Sequence, residues 1–257
     1  MIFDCHVHMP STGLEKSWEW QPFTPDIPAA VRYLRRCGVD RAIASSMLGE
    51  VASTPEEMIA GNDESAKMAA DHPEMLVPAG LINTNFGEES RAELRRCREE
   101  LGMVWLGELC GYAGGYTYET ENFARAITLA GELNMVVQIH SDDVSEMDRI
   151  CSQFPNITLV LPHPGDSPQE VVERCELAAK HQNLYLDLCG HGVQRMGVLD
   201  LAVRSAGPDR VLFGSDYTIN DPAAIIATIQ ASYLSDEVKA KILGGNVLRL
   251  LQERGAK

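Results

Sequence analysis

The chain has 257 residues, 45% of them apolar, which is enough for one large α/β domain spanning residues 1–257 to bury its own core. Its 22 basic residues against 37 acidic ones give a formal charge of −15, which argues against nucleic acid or an anionic membrane surface, since both need a positive footprint. A small-molecule partner is the class that is left.

In chain order, the first apolar run, residues 2–8, predicts a strand in which His6 and His8 share one face while Cys5 and Val7 take the other. Two imidazoles on one face can grip one metal ion, and zinc favours such nitrogen donors beside sulfur and carboxylate. The segment from Met9 to about Asp26 predicts a long loop, whose Trp18 and Trp20 either wall a substrate pocket or pack the loop down. Further strands are predicted at 41–46, 76–82, 104–109, 136–140, 157–163, 184–189 and 211–215. Helical periods fill the gaps at 28–37, 55–71, 88–101, 121–133, 143–154, 168–180 and 194–205. A last helical region covers 222–252, broken near Gly244 and Gly245.

Eight strands alternating with helices predict a parallel sheet, and the length suits an eightfold βα barrel, with a doubly wound open sheet as the alternative. Seven dispersed cysteines without a CxxC pair predict reduced thiols. No basic start with an apolar run precedes Met1, and no stretch of about eighteen apolar residues occurs. A soluble, cytoplasmic protein is expected.

Six ionisable groups fall at carboxyl ends of predicted strands: His6 and His8, Glu108, His140, His163 and Asp216. A lone histidine there is usually a hydrogen-bonded structural residue, and a lone aspartate a helix cap. In a closed parallel barrel, however, those ends converge on one rim, so the six would meet around one cavity. His72 and His181 read as surface or structural residues. Cys5 and Cys110 are expected to turn away from the donor face.

At these residues the chain resembles the amidohydrolase superfamily, and within it the amidohydrolase-related hydrolases that include some lactonases and non-oxidative decarboxylases. The landmarks are the HxH of His6 and His8, then His140, His163, Gly214-Ser215-Asp216-Tyr217 and the closing Gly245-Asn246-Val247-Leu248-Arg249. The resemblance implies a distorted (β/α)8 barrel with an extra C-terminal helix. It also implies a divalent metal, usually Zn2+, held by His6, His8, His140 and Asp216, with His163 acting on the substrate or binding a second ion. Many relatives carry lysine at the end of the fourth strand; Glu108 stands there instead, and a bridging glutamate permits two ions. A homo-oligomer is in keeping with the family.

The expected reaction is hydrolysis of an amide, ester or lactone by an activated water, with Asp216 moving the proton and His163 stabilising the oxyanion. The alternative is non-oxidative decarboxylation of a small carboxylic acid, for which Arg195 with Trp18, Trp20 or Tyr112 could clamp a planar acid. A barrel that binds a metal or ligand without catalysis would have little use for Asp216. Tyr112, His191, Trp18 and Trp20 are the substrate-binding candidates, with Met9, Tyr116, Asp142 and Tyr217 as further loop positions.

Overall fold

A computed structural model describes residues 1–11, 26–190 and 192–255. Trp18, Trp20 and His191 lie outside the described residues. Among those described, eight parallel strands follow one another around a sheet in chain order: β1 (Phe3–Met9), β2 (Arg41–Ser46), β3 (Leu76–Gly80), β4 (Trp105–Cys110), β5 (Val136–His140), β6 (Leu159–Pro162), β7 (Leu184–Asp187) and β8 (Val211–Leu212). The ring closes where Cys5 N donates to Phe213 O at 2.9 Å, Asp216 N to His6 O at 2.9 Å, and His8 N to Tyr217 O at 2.6 Å. This is the TIM-barrel architecture.

The outer helices are α1 (Ile27–Arg36), α2 (Met47–Glu50), α3 (Pro55–Asp71), α4 (Glu88–Glu99), α5 (Gly111–Gly114), α6 (Glu121–Glu132), α7 (Val144–Gln153), α8 (Pro168–Lys180), α9 (Val198–Ala206), α10 (Pro222–Ala231), α11 (Asp236–Ala240) and α12 (Asn246–Glu253). Local chemistry sets their starts. Asp26, Thr54, Thr120, Asp143, Ser167, Asp221 and Ser235 each accept a backbone N–H at a helix entrance, and Pro28, Pro55, Pro168 and Pro222 occupy first turns. None of the described helices is long and apolar enough to cross a membrane.

Several strands end earlier than expected, and three helical features differ from the sequence expectation. The helix expected at 194–205 starts only at Val198, because Gly197 sits at φ +88°, a left-handed conformation that a helix interior does not admit. The region 222–252 divides into α10, α11 and α12, since Ser235 caps a fresh start and a wide turn over Lys241–Gly245 separates the last two. The short helices α2 and α5, not expected from sequence, lie directly after β2 and β4.

Alternate strand residues build two apolar layers. The outer layer joins strands to helices, while Phe3, Cys5, Ile43, Trp105, Val136, Val160 and Leu212 fill the barrel's inside, with Val247, Leu250 and Leu251 of α12 packed into the same cluster. Two bulges adjust this alternation. Between Asp4 and Val7, β1 advances three residues while β2 advances two, so Cys5 and His6 both lie opposite Ile43. Between Leu106 and Leu109, β4 does the same against β5, so Gly107 and Glu108 both lie opposite Gln138.

Candidate metal centre

The six strand-end groups meet at the carboxyl rim, and Glu108 divides them into two lobes. In the first, His6 Nε2 and His8 Nε2 approach to 2.9 Å. Glu108 Oε2 stands 3.4 and 3.5 Å from these nitrogens, and Asp216 Oδ1 stands 3.8 and 3.3 Å from them. In the second, Glu108 Oε1 lies 3.0 Å from His140 Nδ1 and 3.4 Å from His163 Nε2, which are themselves 3.2 Å apart. His140 therefore groups with His163 and Glu108 rather than with His6, His8 and Asp216, the set that the resemblance implied.

Two observations fit this donor set to a divalent cation. A tetrahedral ion with bonds of about 2.1 Å needs ligand atoms about 3.4 Å apart, and the five separations of the first lobe scatter around that value. Moreover, Glu50, Glu108, Asp187 and Asp216 are all buried, and their partners among the described ion pairs are histidines, not lysine or arginine. Buried carboxylates need a compensating charge. The protein thus carries a buried His/Asp site of metal-binding type.

Electrostatics point the same way. Burial works against charge on His6 and His8, yet the carboxylate of Glu108 beside His6 and that of Glu50 beside His8 hold both imidazoles well above the usual histidine value. Burial likewise opposes the charge on Glu108, but His6, His140 and His163 hold it well below the usual range. His140 is pushed up to about 9, where burial is outweighed by Asp142 and Glu108. The cluster favours positive charge wherever it can place it.

The loop geometry is unusual at both late donors. His163 has φ +64° and Asp216 φ +59°, left-handed conformations that are uncommon outside glycine and gather at functional sites. Gly190 leaves room for His163: a Cβ there would fall 2.4 Å from His163 Nδ1. Arg174, buried beneath the rim, donates to the carbonyls of Pro162, His163 and Ser141, tying the ends of β5 and β6 together.

Above the second lobe opens a cavity of about 440 Å³, lined by Tyr112, His140, Asp142, His163, Arg174 and Asp216 among others. Tyr112 sets its ring edge-on to His140 at 5.0 Å. Arg195 is absent from that lining and borders grooves beside Met196 instead, so the expected clamp is not formed by it. Tyr217 is buried and stacks on Tyr33 at 5.8 Å, Tyr116 packs against Tyr118, and Met9 lies in the core.

Sequence reasoning misplaced two thiols and overlooked three polar groups. The β1 bulge brings Cys5 onto the inner side with His6, and Cys110, two residues beyond Glu108, donates its thiol to Glu108 Oε2 at 3.1 Å. Overlooked were Asp187, 2.8 Å from His6 Nδ1; Glu50, 2.9 Å from His8 Nδ1; and Gln138, 2.9 Å from Asp187. Alternation offered a signal for Asp187 and Gln138, since each is a polar letter at an inward position of a buried run.

A barrel that gathers imidazoles and carboxylates at one rim is the arrangement of a metal-dependent enzyme. The chain belongs to the amidohydrolase family described by the Amidohydro_2 model, which matches residues 3–252. Comparison with curated proteins gave no match. Among solved structures, it is similar to dihydroxybenzoic acid decarboxylase from Polaromonas sp. JS666, with bound manganese and an inhibitor (TM-score 0.80, 15% identity, 98% of this chain and 96% of that one). It is also similar to 5-carboxyvanillate decarboxylase from Sphingomonas paucimobilis (TM-score 0.81, 14% identity, 98% of each chain). A third is an amidohydrolase II structure (TM-score 0.82, 16% identity, 98% of this chain and 100% of that one). At such identities the likeness is one of fold. Two of the three are named as decarboxylases and the third as an amidohydrolase.

Proposed function

We propose that the chain is a single-domain, metal-dependent hydrolase acting on an amide, ester or lactone carbonyl of a small molecule. The observation that carries this reading is Glu108, whose two oxygens address two separate groups of donors. His6, His8, Glu108 and Asp216 would hold one ion, most simply Zn2+, and Glu108, His140 and His163 would hold a second. When bound, a divalent ion supplies Lewis acidity and brings the pKa of water toward about 7.

The chain's own groups do the rest. Asp216 turns Oδ1 to His6 and His8, while Oδ2 is held by Asn220 Nδ2 at 3.2 Å. So placed, Asp216 takes the proton of the attacking water and returns it to the leaving group. With one ion in the first lobe, His163 on the cavity wall would stabilise the negative charge that develops on the carbonyl oxygen, a role it gives up where it holds a second ion. Tyr112 walls the cavity over His140, and Trp18, Trp20 and His191 stay candidates for substrate contacts.

Decarboxylation is the second reading, favoured by the activities of the similar solved structures, of which the Polaromonas enzyme is named with an aromatic inhibitor, 2-nitroresorcinol. The same residues would serve it, with Asp216 or His163 delivering a proton to carbon. One experiment separates the two. Protein reconstituted with Zn2+ or Mn2+ is incubated with lactone, ester, amide and dihydroxybenzoate panels, and products are resolved by mass. Gain of water supports hydrolysis, and loss of carbon dioxide replaces it with decarboxylation. No turnover with any panel member removes both readings.

A further inference from the structure

Behind His6 runs a chain of hydrogen bonds whose direction is fixed at its far end. Trp105, fully buried inside the barrel, donates Nε1–H to Gln138 Oε1 at 2.8 Å. An indole nitrogen can only donate, so this contact decides which end of the Gln138 amide is oxygen. The Gln138 Nε2–H group must then face Asp187, where it donates to Oδ2 at 2.9 Å. That same oxygen lies 2.8 Å from His6 Nδ1. A carboxylate oxygen can only accept, and at 2.8 Å it is nearer to His6 Nδ1 than Gln138 Nε2 at 3.1 Å or Cys189 Sγ at 3.1 Å, so Nδ1 carries the hydrogen and Nε2 is the nitrogen left for an ion among His8, Glu108 and Asp216.

The surroundings are built for this chain. Asp187, Gln138 and Trp105 are buried, and a Cβ at Gly214 would fall 2.3 Å from Asp187 Oδ1 and 2.7 Å from His6 Cβ. Cys189, two residues beyond Asp187, places Sγ 3.1 Å from His6 Nδ1 and 3.4 Å from His163 Nδ1. The β7 segment, which contributes none of the six strand-end donors, thus backs a histidine in each lobe.

We infer that Asp187 is a positioning residue that fixes the His6 tautomer for metal binding, and that Trp105 sets the polarity of the chain through Gln138. This rests on the metal-dependent reading above. The experiment measures Zn2+ affinity of metal-stripped protein by competition with a chromophoric chelator, without any reaction. In the Zn2+-loaded protein, 15N NMR of the His6 ring then reads which nitrogen holds hydrogen. Replacing a partner that orients a metal-binding histidine typically weakens metal affinity about 10- to 100-fold.

Asp187→Asn is expected to lose affinity on that scale, with unchanged circular dichroism. Gln138→Met, which removes the amide while keeping the length, is expected to show a smaller loss and a shifted Trp105 indole N–H resonance. Should Asp187→Asn fail to fold, Gln138→Met decides alone. Wild-type affinity in the folded variants, or a His6 Nδ1 without hydrogen in the loaded wild type, overturns the inference while leaving the metal reading intact. Wild-type protein that binds no Zn2+ overturns both.

Discussion

Glu108 is the one side chain common to both lobes, and its removal should therefore be felt twice. Glu108→Gln keeps the shape but supplies a neutral amide, half of it a donor, to four imidazoles. The expected outcome is a lower metal stoichiometry by elemental analysis and a fall of about 10²- to 10³-fold in turnover, the scale of losing one charge-stabilising group. Asp216→Asn is expected to retain metal while losing most turnover, and full activity would remove Asp216 from proton transfer. The thiols give a pH prediction. Burial pushes Cys151 up to about 12 and Cys175 up to about 11. A thiol with its pKa above the solution pH stays protonated, and only the thiolate attacks. At pH 8 the native protein should therefore react with a disulfide reagent at Cys37 at most, the one cysteine that is not fully buried, whereas the unfolded chain should expose all seven. Rapid native labelling of Cys151 would contradict this. His6, His8, His140, His163 and Asp216 were legible because each ends an apolar run. Asp187 and Gln138 were not singled out, since one polar letter inside a buried run does not show which partner it faces until the barrel closes.

The two bulges do at the element scale what no single residue does. Each inserts one inward position, and the β4 bulge puts Glu108 between the lobes. Gly107 makes that bulge feasible: its φ is +123°, and a Cβ would lie 2.3 Å from the Gln138 carbonyl oxygen. Gly107→Ala is accordingly expected to lower both stability and metal stoichiometry, read by thermal denaturation and elemental analysis, whereas Gly102→Ala, with nothing within 4 Å, should disturb the metal site little. At the barrel's other end, Leu250 of α12 is 1% exposed among Val136, Val160 and Leu212. Leu250→Ala should cost about 2–5 kcal/mol in chemical denaturation with metal binding unchanged. Strand order and helix starts could be read from caps and periodicity, but a bulge adds one residue to a register and leaves composition untouched. That is why Cys5 was expected on the wrong side. The start of α9 was misread for a different reason: periodicity ran on through Gly197, whose left-handed conformation ends it.

For the whole molecule, the ion site and the closure of the barrel coincide. His6 and His8 come from β1, Asp216 follows β8, and the regular strand there is only two residues long. A ligand that binds the native state alone, at about a thousand times its dissociation constant, stabilises by about 4 kcal/mol. Saturating Zn2+ should thus raise the melting temperature of stripped protein by about 8–16 °C, at roughly 2–4 °C per kcal/mol for a chain of this size. Amide exchange at Cys5, His8 and Asp216 should slow most on loading, because these amides bridge the seam. The eightfold alternation foretold the barrel, whereas which strands would share a donor lobe depended on closure, a property of three dimensions.

That seam also orders events in time. A chain synthesised from its N-terminus presents His6 and His8 to solvent roughly two hundred residues before Asp216 exists. The first lobe therefore stays incomplete until Asp216, after the last strand, has joined it, and an ion held by all of its donors comes late in folding.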